Sequence, residues 1–184
     1  MSWQRPNGAA WRVRSARGCT ALWISWVALA LLATQLQAQQ GYALIGQAAP
    51  DFALHATAGD NVRLSEHRGE VVVLSFWSSR CSSCRTQLDV LSRSLATYRS
   101  AGLAIYGIGV DDDAQQSRDF AHSARVSFTM LLDPEKSVSR NYQVDNLPMT
   151  VLIDRNGTVR YALRDYSSAS ERLYVQELRA LLNE

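Results

Sequence analysis

The 184-residue chain is poor in the residues that build metal sites, with three cysteines and three histidines. Tetrahedral zinc takes four ligands, and Cys81 and Cys84 are accompanied by neither a second Cys-X-X-Cys pair nor paired histidines. His55, His67 and His122 are scattered, as surface or loop residues are. There is no internal repeat and no low-complexity linker, so the length suggests one ordinary domain plus a targeting segment. The first forty residues contain no aspartate or glutamate. No basic patch or stripe appears in the remainder, which argues against a nucleic-acid partner.

What the N-terminus does have is a basic stretch, Arg5, Arg12, Arg14 and Arg17, followed by Cys19–Ala33, apolar apart from Thr20 and Ser25. A polar TQLQAQQ comes next, with Ala38 placed for cleavage. This is the layout of a secretory signal. The alternative is an uncleaved anchor through residues 19–33, although that run is short of the roughly 20 apolar residues of a spanning helix. The arginine in Ala16-Arg17-Gly18 argues against lipoprotein processing at Cys19. Either reading makes 1–38 a leader or anchor and 39–184 the folded domain, outside the cytoplasm, with the basic flank retained inside. Four of the 19 basic residues and none of the 17 acidic ones belong to 1–38, so the domain carries a net charge of about −2. Its cysteines are Cys81 and Cys84, in a compartment that permits disulfides.

The remaining pattern alternates strands and helices. VVVLSF (Val71–Phe76) and LAIYGIGV (Leu103–Val110) are short apolar runs expected to form buried strands. Leu88, Leu91, Leu95 and Tyr98 recur at helical spacing and predict a helix over 82–100. A second helix is expected over Asp113–Arg125, with Phe120 and Ala121 inward, and a C-terminal one from Leu173, Leu178, Leu181 and Leu182. Thr150–Asp154 and Thr158–Leu163 flank Asn156-Gly157 as a hairpin. The order β-α-β-α then β-β-α predicts an α/β fold: one mixed sheet with helices on both faces. The cysteines fall where the first central strand hands over to its helix, the end at which function collects in such sheets.

Three uses of the pair compete: a permanent disulfide, half of a metal site, or a redox couple. A bridge across two residues closes a small loop and stabilises little in the chain-entropy model. If Cys81 opens the helix, unpaired N–H groups and the helix dipole favour its thiolate, and Cys84 one turn on can resolve a mixed disulfide. Arg80 and Arg85 flank the pair and would add to that effect. Pro148 precedes a strand that reads as buried, where proline is disfavoured; a cis bond in a tight bend would explain it, an ordinary trans proline being the alternative.

FWSSRCSSC, followed far downstream by LPMTVLID, resembles the thioredoxin superfamily, specifically the exported TlpA-like thiol–disulfide oxidoreductases. GQAAPDFAL (Gly46–Leu54), LSEHRGEVVVLSFW and YQVDNLPMTVLIDRNGTV carry the likeness across 46–184. The resemblance implies a thioredoxin-like fold with a short N-terminal β extension. It makes Cys81 the exposed nucleophile, Cys84 the resolving cysteine and Pro148 a cis-proline against the disulfide, with Leu147 and Trp77 beside them. The implied activity needs no cofactor and no metal. Its partners would be disulfide-containing exported proteins, as in cytochrome c maturation, and a membrane electron donor; the protein would be a periplasmic monomer. The sequence departs from the family at Arg80 and Ser83, where many members have tryptophan and proline. It departs again at Gln87, where many have a glutamate thought to assist proton transfer, and at Ser75, where cytoplasmic thioredoxins bury an aspartate. Two other functions compete. A peroxidase shares APDFAL but wants proline at position 74, which is Leu74, although Ser78 fits. A copper(I) carrier would want a third soft ligand, for which Met149 is the candidate.

Overall fold

The computed structural model describes residues 42–184, so the leader or anchor assigned to 1–38 lies outside the described residues. The strand β3 (Val71–Trp77) is buried at all seven positions. It is the axis of the sheet: β4 (Leu103–Gly109) lies parallel on one side and β6 (Met149–Ile153) antiparallel on the other. A strand covered on both faces has no solvent side to alternate with, which is why VVVLSFW reads as a continuous apolar run. The remaining strands are β1 (Ala53–Ala56), β2 (Val62–Arg63), β5 (Thr129–Leu132) and β7 (Val159–Arg164), giving the order β2-β1-β5-β4-β3-β6-β7.

Three helices, α1 (Cys84–Tyr98), α2 (Ala114–Ala124) and α4 (Ser168–Leu182), pack on one face through Leu88, Leu91, Leu95, Ala121, Tyr174, Leu178 and Leu181. The short α3 (Ser137–Asn141) covers the other with Val138, helped by Tyr42, Phe52, Leu64 and Tyr142. Helices therefore lie on both faces of a mixed sheet, and the β1–β2 hairpin is the N-terminal extension. The expected α/β, thioredoxin-like fold is the one observed.

The connection from β5 through α3 crosses back and lays β6 against β3. Because that pair is antiparallel, with Phe76 opposite Met149, the start of β6 meets the end of β3. Topology alone thus carries Pro148 to the end of the sheet where the cysteines lie.

Several elements differ from the sequence reading. The strand β5 and the helix α3 stand between α2 and β6, so the order is β-α-β-α-β-α-β-β-α after the extension. The first helix begins at Cys84 rather than residue 82 and gives way to a 3-10 turn at Arg99–Ala101. Leu173 faces solvent, 43% exposed, because Tyr174 and Leu178 hold the inner face of α4. In the β6–β7 hairpin Gly157 takes φ +79° while Asn156 keeps a negative φ, and the Asp154 carboxylate accepts from the N–H groups of Asn156 and Thr158. This makes a three-residue turn with a bulge, not the two-residue form Asn-Gly favours.

Candidate active site

The turn between β3 and α1 carries the pair. Cys81 and Cys84 are joined as a disulfide, with Cα atoms 5.4 Å apart. Their environments differ: Cys84 is the first residue of α1 and has no exposed surface, whereas Cys81 is partly exposed. Cys81 does not open the helix. Its N–H donates to the Ser78 carbonyl (3.1 Å), closing a turn, and Ser83 is the N-cap. The serines favour this turn because their hydroxyls offer the backbone an alternative to helical bonding.

The Leu147–Pro148 bond is cis and Pro148 is buried. Leu147 is partly buried, and its N–H donates to Asn146 Oδ1 at 2.9 Å. Trp77, the last residue of β3, is fully buried and stacks on Phe120 with ring centroids 4.8 Å apart. Its indole crosses β4 where two glycines leave room: a Cβ on Gly109 would stand 2.8 Å from Trp77 Cζ2, and one on Gly107 would stand 3.1 Å from Nε1. The glycines of LAIYGIG are thus spent on seating this tryptophan beside the turn.

The two flanking arginines differ in their surroundings. Arg80 is exposed. Arg85 is turned away onto α2, donating to the Ser123 carbonyl (3.1 Å) and hydroxyl (2.9 Å) and lying over the Phe120 ring at 4.7 Å. These contacts direct the guanidinium onto α2. Gln87 is buried, 6% exposed, so the possibility that it points to solvent is excluded. Its Oε1 accepts from Ser75 Oγ (3.1 Å) and its Nε2 donates to Thr150 Oγ1 (2.6 Å). Ser75 and Thr150 are opposite one another on β3 and β6, so Gln87 ties α1 to the two strands beneath the disulfide. This neutral chain stands at the positions discussed for carboxylates.

The sequence reading missed Asp111. It lies just beyond the end of β4, is 7% exposed, and receives four donors. Its Oδ1 accepts from Ser78 Oγ (2.5 Å), Ser79 N (3.1 Å) and Ser79 Oγ (3.1 Å), and its Oδ2 from Ser79 N (3.0 Å) and Ser117 Oγ (2.9 Å). Burial acts to raise the carboxyl pKa, but the bonds from Ser78, the Ser79 amide, Ser117 and the Ser79 hydroxyl outweigh it and hold the group below its ordinary value. The available signal was the register: Trp77 pairs with Gly109, so two residues on, Ser79 meets Asp111. Elsewhere, His67 is no isolated surface histidine, for its Nδ1 lies 2.8 Å from Glu70 and its Nε2 2.8 Å from the Tyr106 hydroxyl. Met149 packs in the core on the sheet face opposite that of Cys84, so it offers no third ligand to the pair. Leu74, at the position where a peroxidase wants proline, is fully buried within β3.

Residues 45–162 match the AhpC/TSA family. The thiol–disulfide oxidoreductase ResA of Geobacillus kaustophilus is 33% identical over 116 residues, 63% of this chain and 67% of that protein. The ResA of Bacillus subtilis is 32% identical over 114 residues, 62% of this chain and 64% of its own. Among solved structures, a Chlorobium tepidum protein named as a thiol:disulfide interchange protein DsbE superimposes with a TM-score of 0.72 at 32% identity, covering 75% of this chain and 97% of that one. A Bacteroides thetaiotaomicron protein named as a protein disulfide isomerase gives 0.71 at 32% identity, covering 78% and 94%. With the cysteine pair at the handover from β3 to α1 and a family match spanning most of the folded domain, the chain belongs to the AhpC/TSA family and is a thiol–disulfide oxidoreductase of thioredoxin-like fold.

Proposed function

We propose that the protein works in its dithiol form outside the cytoplasm, reducing disulfides of exported proteins, with cytochrome c maturation as one such task. The observation that carries this reading is the asymmetry of the pair: a partly exposed Cys81 bonded to a fully buried Cys84. In the reaction the Cys81 thiolate attacks one sulfur of the substrate disulfide. A mixed disulfide forms and the other substrate sulfur leaves as a thiolate that takes up a proton. Cys84, as thiolate, then attacks Cys81, releasing the second substrate thiol and closing the Cys81–Cys84 bond. Two electrons have passed to substrate, and a membrane dithiol donor returns them. The cis Leu147–Pro148 edge, which the antiparallel β6 brings to the same end of the sheet, is the surface for substrate backbone, with Trp77 as the packed floor.

The direction is tested by the reduction potential, measured against glutathione. A value near −270 mV, as for thioredoxin, is expected; one near −120 mV would make the protein an oxidant and overturn the reductive reading.

The domain division, 1–38 as leader or anchor and 39–184 as the folded unit, belongs to the same proposal, and so does a periplasmic monomer. Among the described residues no helix is long and apolar enough to cross a membrane. A periplasm-dependent reporter fused after Ala38 is expected to be active. Full-length chain recovered from the cytoplasm would remove the targeting argument.

A further inference from the structure

We propose that Asp111 is a positioning residue for Cys81: its carboxylate fixes the Ser78–Cys81 turn, and its charge disfavours the Cys81 thiolate, biasing the couple toward the disulfide. The inference rests on Cys81 being the reacting sulfur.

The geometry supplies both parts. The Ser79 N–H depends on Asp111 directly and the Arg80 N–H at one remove, while the Cys81 N–H closes the turn on the carbonyl of Ser78, the residue whose hydroxyl Asp111 holds. The Ser79 amide donates to the carboxylate itself; the Arg80 amide donates to Ser78 Oγ (3.2 Å), whose own proton is given to Asp111; the Cys81 amide donates to the Ser78 carbonyl (3.1 Å). Ser117 on α2 holds the carboxylate from behind, so the anchor belongs to the scaffold and not to the turn. Val110 N–H to the Trp77 carbonyl (3.0 Å) locks the two strand ends that carry the partners.

The charge part follows from what surrounds Asp111. Its donors are hydroxyls and an amide, and no cation neutralises it among the hydrogen bonds and ion pairs of the described residues. The nearby charged groups have other partners: Asp112 pairs with Lys136 (2.6 Å), Asp113 caps α2 through the Gln115 amide, Asp133 receives Ser137 and the amides of Val138 and Ser139, and Arg85 is held on Ser123. Arg80 is exposed and screened. A net negative charge at the base of the turn therefore opposes a second one on Cys81 Sγ. The thiolate exists in the dithiol form alone, so the opposition favours the disulfide.

Asp111→Asn removes the charge and keeps the shape: Oδ1 retains its three donors, Ser117 can rotate to accept from the new amide, and the Ser79 N–H gives up its bond to Oδ2 and keeps the one to Oδ1. The probe is the equilibrium of protein disulfide plus two glutathione thiols with protein dithiol plus glutathione disulfide, followed from pH 5 to 9. In the variant this equilibrium is expected to move three- to tenfold toward dithiol at pH 8–9, the upper figure being about 30 mV. The midpoint for Cys81 alkylation should fall, and the two proteins should converge at pH 5, where Cys81 is a thiol in both. A displacement of the same size at every pH, or none, overturns the charge role. Ser79→Ala keeps the carboxylate and loosens the turn: exchange with a peptide disulfide should slow three- to tenfold with an unchanged glutathione equilibrium. An unchanged rate overturns the positioning role, and this arm decides that role even if Asp111→Asn does not fold. Mapping the first alkylated cysteine in the reduced wild type separates these outcomes from failure of the underlying reading, because initial labelling at Cys84 would refute the assignment of Cys81 itself.

Discussion

Cys81→Ser is expected to lower disulfide reduction to the uncatalysed rate, whereas Cys84→Ser should react once and stop as a stable mixed disulfide with its substrate. The difference comes from access. A substrate sulfur must approach the attacked or attacking atom in line, and the partly exposed Cys81 permits this while Cys84, with no exposed surface, does not. Serine is close to cysteine in volume, but its hydroxyl is neither acidic enough nor nucleophilic enough to replace a thiolate, so the fold should survive both changes. In an insulin-reduction assay both variants lose turnover. They separate on a non-reducing gel after mixing with a disulfide-bonded protein, where the Cys84→Ser variant gives a higher-mass adduct that dithiothreitol removes and the Cys81→Ser variant does not. Normal turnover by Cys84→Ser would show that Cys84 is not the resolving thiol. Adducts from Cys81→Ser would mean the roles are reversed.

Much of this site was readable before the structure, and what was missed has a physical pattern. The strand β3 and helix α1 announced themselves because each has a long, consistent apolar period, and Pro148 because a proline before a buried strand needs an explanation. The strand β5 was not seen. Thr129–Leu132 is four residues with no alternation, made a strand by the parallel partner β4 and the antiparallel partner β1 rather than by its own propensity. Helix α3 has five residues, too few for a period to register. The helix starts at Cys84 and not at residue 82 for a local reason: Ser78, Ser79, Ser82 and Ser83 surround Cys81, and serines draw the backbone into turns and caps. Asp111 was overlooked as one of three consecutive aspartates, a run that reads as a solvated loop. Its four donors converge from β3's turn and from α2, so no single stretch of sequence contains the site.

Gln87→Glu is expected to add to both stability and rate a pH dependence that the neutral glutamine at this position does not supply. Position 87 is buried between Ser75 and Thr150, and it borders a small cavity with room for about one water, also lined by Tyr174 and by the acidic Asp165 and Glu171. A carboxyl placed there loses hydration and faces two like charges. Both effects raise its pKa, while hydrogen bonds from Ser75 and Thr150 offset them in part. A raised folded-state pKa has a definite sign. Below the unfolded value of about 4.3 both states are protonated and the substitution costs little. As pH climbs from there through the folded pKa, the unfolded chain ionises first. About 1.4 kcal/mol of stability is then lost for every pH unit that separates the folded from the unfolded value. Melting temperatures of the two proteins should therefore nearly coincide at pH 4. At pH 7.5 the variant should melt lower by roughly 3–8 °C if the folded value lies about one to two pH units above the unfolded one. The same carboxyl lies one helical turn from Cys84, where it can take a proton as that buried thiol ionises, so a new inflection in the rate–pH curve is expected between roughly pH 5 and 8. A melting difference independent of pH would mean that the loss comes from repacking alone. Superimposable rate–pH curves would show that residue 87 is no path for the Cys84 proton, leaving the neutral Ser75–Gln87–Thr150 chain as a brace between α1 and the sheet.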